Sequence, residues 1–127
     1  MTRTEDEVGK WYTRPVLFVS DVEQSSRFYV DQLGYSEAWR YGDGGKPYVA
    51  QVARAGSELI LSSQWPDKVG SALTFISLDP DELHSVRADY EGRGLNVKDG
   101  WWGYKLAIVE DPDRNQLFFP YPADEQP

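Results

Sequence analysis

Apolar and polar residues change their spacing along this chain in a fixed order, and the order occurs twice. Val16-Leu17-Phe18-Val19 is a short apolar run of strand type. Ser20 or Asp21 then caps a helix, with acidic Glu23 in its first turn. Val22, Phe28, Tyr29 and Leu33 form its apolar side, and Gly34 ends it. Three strands are predicted next, over 35–41, 47–53 and 58–62, separated by Gly42-Asp43-Gly44-Gly45 and Ala55-Gly56. Residues 63–71, with Pro66 and Gly70, read as a linker. The order then restarts with a strand over 73–78. A helix follows, opened by Asp79-Pro80, lined inward by Leu83, Val86 and Tyr90, and stopped at Gly92 or Gly94. Strands over 95–101, 103–110 and 115–120 complete the second copy. The copies stand about 58 residues apart, so that Leu59 falls on Leu117 and Leu61 on Phe119. The pattern predicts an α+β fold of two tandem βαβββ modules, 14–62 and 72–121, within one domain over 14–121. An N-terminal arm (1–13) and a tail (122–127) flank it. Each module alone is too small to bury much core, so the two must pack together or pair across a homodimer.

Alternation assigns the strand faces. Leu17, Val19, Leu59, Leu61, Leu73, Phe75, Leu117 and Phe119 are uniformly apolar and are predicted to pack under the helices. The opposite set mixes charge, amide, hydroxyl and apolar groups: Arg14, Val16, Phe18, Glu58, Ile60, Ser62, Ala72, Thr74, Ile76, Gln116 and Phe118. Such a face is either the lining of a cavity or a half-solvated sheet.

Composition narrows the chemistry. No cysteine is present, which excludes disulfides, thiolate metal sites and cysteine nucleophiles. The single histidine, His84, excludes a His-rich metal site and falls on a polar stretch of helix, where solvation is its expected state. With 13 basic and 21 acidic residues the net charge is −8, a poor match for nucleic acid and a better one for cations. Five tryptophans are a large stacking inventory for 127 residues. No signal core and no apolar run of membrane-spanning length is visible, so a soluble, cytoplasmic protein is expected.

Val19-Ser20-Asp21, then Ser25-Ser26-Arg27-Phe28-Tyr29 and Leu33-Gly34-Tyr35, resemble the opening of the glyoxalase/bleomycin-resistance/dioxygenase (vicinal oxygen chelate) superfamily. Asp111-Pro112-Asp113-Arg114-Asn115 followed by Leu117 resembles its closing motif, and Trp102-Gly103 its bleomycin-resistance branch. The resemblance covers residues 14–121. It implies paired βαβββ modules curling as mixed sheets around a cleft. It also implies four metal-ligand positions, which fall here at Arg14, Ile60, Ala72 and Phe118. Arginine has no acceptor and the other three offer no polar side-chain atom, so no metal or other cofactor is expected there. Only Glu58 and Gln116, two residues away, are oxygen donors. Arg114 stands where the family has glycine. A left-handed backbone at arginine costs roughly 1 kcal/mol, which points to Asn115 as the residue taking that geometry.

The resemblance implies a metal-independent, dimeric binding protein. It would sequester an aromatic small molecule, cationic or zwitterionic, such as a bleomycin-type antibiotic. Its expected ligand-binding residues are Arg14, Trp39, Tyr48, Ile60, Thr74, Trp102, Tyr104 and Phe118. Five of them have a structural alternative: Trp39 and Tyr48 are equally readable as strand aromatics, Trp102 and Tyr104 as dimer packing, and Arg14 as an ion pair with Glu58 or another carboxylate. Trp65 is a cap on the core or a binding group. Glu37, Asp43, Asp99 and Glu110 would form an acidic rim. The competing function is a lyase, isomerase or dioxygenase with a metal site shifted to Glu58 and Gln116. A metal-free acid–base enzyme built on Glu58 and a tyrosine is a third.

Overall fold

A computed structural model describes residues 11–127. The first module is β1 (Val16–Phe18), α1 (Val22–Asp31), β2 (Ser36–Asp43), β3 (Lys46–Arg54) and β4 (Ser57–Ser62). The second is β5 (Leu73–Phe75), α2 (Leu83–Gly92), β6 (Lys98–Trp101), β7 (Lys105–Glu110) and β8 (Gln116–Pro120). Each module builds a mixed four-stranded sheet, in the order β1-β4-β3-β2 (sheet A) and β5-β8-β7-β6 (sheet B). The first strand of each runs parallel to the last, and the remaining neighbours are antiparallel. This is the predicted α+β architecture of two repeated modules.

The helices start and stop for local reasons. Asp21 caps α1, its Oδ1 accepting the Gln24 N–H at 3.1 Å. α2 begins at Leu83, later than Asp79-Pro80 suggests, because the Glu82 N–H bonds back to the Asp79 carbonyl and closes a separate turn first. The inner faces of both sheets meet both helices in one core. Leu17, Leu59, Leu61 and Val52 of sheet A join Val109, Leu117 and Phe119 of sheet B, with Tyr29 and Leu33 from the first module and Leu83 and Tyr90 from α2.

The register of β5 corrects one expectation. Ala72 O accepts from Gln116 N as Pro15 O accepts from Ile60 N, and Ile76 N donates to Phe118 O as Val19 N donates to Ser62 O. The first strands are therefore related by 57 residues (15 to 72) and the last by 56 (60 to 116), not by a uniform 58. Thr74 pairs with Leu117 and so lies on the inner face with Ile76. Leu73 and Phe75, paired with Gln116 and Phe118, lie on the outer one.

The closing motif clasps the modules. Asp111 and Asn115 are buried. Asn115 Nδ2 donates to the Phe18 carbonyl and to Asp111, and its Oδ1 accepts the Ala72 N–H at 3.0 Å. Tyr29 Oη donates to Asp111 at 2.9 Å, and Asp113 accepts the Ser20 N–H. Burial pushes the Asp111 carboxyl and the Tyr29 phenol upward. Gly70 docks against the Asp113 carbonyl with φ of 78°, where a Cβ would collide with backbone. Arg114 itself takes the left-handed turn, with φ of 73°, correcting the assignment to Asn115. Asn115 instead closes the loop, its carbonyl accepting the Asp111 N–H at 2.9 Å while its side chain makes the clasp.

Candidate functional site

Because the inner faces share one core, each sheet keeps an outer face, and the side chains that alternate onto those faces define the candidate site. On sheet A the pairings align Val16, Ile60, Gln51 and Trp39 in one row across four strands. The next row is Phe18, Ser62, Val49 and Tyr41. A bulge between Glu37 and Trp39 puts these neighbours in the β2 pattern on opposite faces. Trp39 and Tyr41 have ring centroids 5.6 Å apart, and Phe18 meets Trp65 edge-on at 6.0 Å. Trp65 thus packs on the outer face rather than on the core.

A polar relay crosses this face. Arg14 Nη1 donates to Gln51 Oε1 at 2.7 Å, and Gln51 Nε2 donates to Glu58 Oε1 at 2.7 Å. Arg14 therefore reaches Glu58 through an amide, not by a direct ion pair. The buried Gln51 is what holds the two charges apart. Sequence reading missed Gln51, because one glutamine in an apolar strand carries no signal until three strands are in register.

Sheet B carries an aromatic cluster on its outer face. Phe75 is its centre, with centroids 5.0 Å from Trp102, 5.5 Å from Phe118 and 6.3 Å from Tyr104. Trp102 and Tyr104 are 56% and 39% exposed, so these rings are only half covered. Gly103 between them takes φ of 79°, and Trp102 N bonds the Tyr104 carbonyl, turning both rings to one side. Phe75 was missed as a site residue because β5 was assigned the opposite face.

The predicted residues divide accordingly. Arg14, Trp39 and Ile60 share the outer face of sheet A, and Trp102, Tyr104 and Phe118 share that of sheet B. Tyr48 alternates to the inner side with Ala50 and Val52, and Thr74 lies on the inner side of β5. Neither reaches an outer face. Among the described residues no aromatic pair joins one outer face to the other.

Two of the four residues of the expected acidic rim, Glu37 and Asp99, are engaged elsewhere. Glu37 binds Arg40 and accepts from Ser26, and its carboxyl is held low by Arg40. Asp99 accepts from Tyr121 and from Arg87, both at 2.6 Å, which lower its carboxyl. Glu110, paired with Gln116, does face outward on sheet B. His84 is exposed and bonds Glu125.

A divalent cation does not fit the four positions the family uses. Arg14 and Ile60 lie on sheet A and Phe118 on sheet B, all without acceptor oxygens, and Ala72 is on the inner side. Among the described residues no three His, Asp or Glu side chains gather as a metal cluster. No helix is long and apolar enough to cross a membrane among them.

A family model described as "Glyoxalase superfamily protein" matches residues 1–125. No curated protein matches the chain. Among solved structures, it is similar to TnmS3, an antibiotic binding protein from Streptomyces sp. CB03234. That similarity has a TM-score of 0.72, 24% identity, and coverage of 91% of this chain and 98% of that one. A glyoxalase/bleomycin resistance protein from the same organism gives a TM-score of 0.65 at 25% identity, covering 85% and 99%. Lactoylglutathione lyase from Agrobacterium tumefaciens gives 0.69 at 15% identity, covering 89% and 95%.

Proposed function

The chain belongs to the glyoxalase superfamily, and on that premise we propose that it is a metal-independent receptor for an aromatic small molecule of the antibiotic type. The observation carrying this reading is the outer-face cluster of Phe75, Trp102, Tyr104 and Phe118, in which Phe118 is buried as a floor and Trp102 and Tyr104 stay half exposed. A planar ligand adds a further ring to such a cluster, each well-placed aromatic contact contributing about 0.5–1.5 kcal/mol. The antibiotic-binding neighbour is consistent with it.

The relay on sheet A supplies the polar half. Glu58 meets a cationic group, and Arg14 meets a carboxylate or sulfate, so a zwitterionic ligand suits both ends. The net charge of −8 draws cations toward the protein. A second copy of the chain would close the site, laying the aromatic face of one protomer against the polar face of its partner. Arg14, Trp39 and Ile60 then line one wall, and Trp102, Tyr104 and Phe118 the other.

The test is a tryptophan-fluorescence titration with metal-free bleomycin, at low and moderate salt, on protein whose metal content has been measured. Saturable quenching that weakens with salt supports the reading. Trp39→Ala combined with Trp102→Ala abolishes binding and leaves the dimer intact by sedimentation. Unchanged affinity in that double variant defeats the site assignment. One metal per chain, with no quenching, favours the enzyme built on Glu58 and Gln116.

A further inference from the structure

A cavity lies at the junction of the two modules, lined from β4, β5 and α2. Its volume is about 390 Å³. That is within the range of small-ligand sites. Leu59, Ile76, Val86 and Phe119 provide apolar wall, and Arg54, Thr74, Glu58 and Glu82 are among its polar lining. Glu58 of the polar relay and Phe75 of the aromatic cluster border it as well.

Arg54 is the unusual member. It is half-buried, and its Nη1 donates to the Leu33 carbonyl at 2.6 Å and to Tyr90 Oη at 3.3 Å. Neutral acceptors therefore fix the guanidinium in place. Arg27, Arg40, Arg87 and Arg93 each pair with a carboxylate, but among the described residues Arg54 has none within 4.0 Å. Its Nε and Nη2 donors, and the Thr74 hydroxyl, have no hydrogen-bond partner among the described residues either. A part-desolvated guanidinium held by neutral acceptors, with donors to spare and no carboxylate in direct contact, can receive an anion. The remaining charges say which kind. Glu58 and Glu82 also line the cavity, so a phosphate or a dicarboxylate would meet two like charges there. One guanidinium, two flanking acids and four apolar walls suit a single negative charge on an apolar body.

We propose that this junction cavity is a ligand site for a small monocarboxylate with an aliphatic or aromatic body, its carboxylate on Arg54 and its apolar part against Ile76, Val86 and Phe119. The cavity borders the outer-face receptor at Glu58 and Phe75, but its anion-binding group, Arg54, belongs to neither outer face, and its ligand need not be an antibiotic.

The probes are phenylacetate and hexanoate, with phenylacetamide as the neutral control, followed by calorimetry and by amide and indole chemical shifts. Phenylacetate is expected to bind saturably and to shift the amides of Thr74 and Ile76 while leaving the Trp39 indole in place. Phenylacetamide is expected to bind roughly tenfold more weakly or worse, the usual loss of a charge-assisted pair. Arg54→Gln should cost at least as much. Since Arg54 also supports the Leu33 carbonyl, a second variant keeps the test clean. Val86→Phe fills the cavity without touching Arg54 and should abolish phenylacetate binding while bleomycin quenching is retained. Three results overturn the proposal. They are no binding of either acid below about 10 mM, equal binding of acid and amide, or binding that survives Val86→Phe.

Discussion

Asn115→Ala is the most informative single change to the fold. The side chain is fully buried and carries three hydrogen bonds between segments far apart in sequence. Its loss leaves the Ala72 N–H with no acceptor among the described residues, at a cost of about 1–2 kcal/mol. The Phe18 carbonyl keeps the Gly70 N–H at 3.2 Å, so its share is smaller, about 0.5–1 kcal/mol. Asp111 keeps Tyr29 and two backbone donors but loses one of four, about another 1 kcal/mol. The total is about 2.5–4 kcal/mol. With an unfolding entropy of about 2.1 cal/mol/K per residue, this corresponds to a fall in Tm of roughly 9–15 °C. Circular dichroism during heating and urea titration measure it. The pH dependence adds a second check. Burial already raises the folded carboxyl of Asp111, and removing a donor raises it further. The folded variant therefore binds protons more readily than the unfolded chain, and its deficit narrows as pH falls through the carboxylate range. A loss below about 1 kcal/mol, or a deficit that widens in acid, would refute the clasp as the link between modules.

Asp99→Asn should cost a few tenths of a kcal/mol at neutral pH, the scale of an exposed charge pair. Its folded carboxyl is depressed by Tyr121 and Arg87, so this contribution is present above the unfolded pKa and disappears as pH falls below about 4. An equal penalty at neutral pH and well below that value, by urea midpoint, contradicts the assignment. Tyr29, Tyr35, Tyr90 and Tyr121 are all pushed upward chiefly by burial, Tyr90 to about 12. Near-ultraviolet absorbance of native protein near pH 11 should therefore show clearly fewer ionised tyrosines than the eight of the denatured chain. Full ionisation of the native protein at that pH would remove the argument.

The repeat was legible because each module spells its own punctuation, from the Asp21 cap to the glycine turns. The outer aromatic cluster was half legible. Gly103 turns Trp102 and Tyr104 to one side whatever the register, so alternation alone found them. Thr74 and Phe75 were exchanged because a three-residue strand has too few positions to fix its own faces, and a rigid offset between the modules was the wrong ruler. Trp39 survived a bulge that its sequence does not announce. The Arg14–Gln51–Glu58 relay was out of reach, since its members come from beside β1, from β3 and from β4, and only their lateral register assembles them. The junction cavity is likewise a product of docking, visible in neither module alone.

The clasp also bears on the order of folding. Within a module, β1 and β4 pair residues 44 apart (Val16 to Ile60), whereas Ser20 and Asp113 meet across 93 residues and Phe18 and Asn115 across 97. Doubling a loop adds only about 0.6 kcal/mol of closure entropy, so the long-range contacts are not thermodynamically prohibitive, yet they raise the contact order and form late. The hairpins of each module should be in place at the rate-limiting barrier and the clasp absent from it. Chevron kinetics on Asn115→Ala would then show its effect almost wholly in faster unfolding, with refolding nearly unchanged. The lifetime of the native protein, rather than its rate of formation, is what that one asparagine governs.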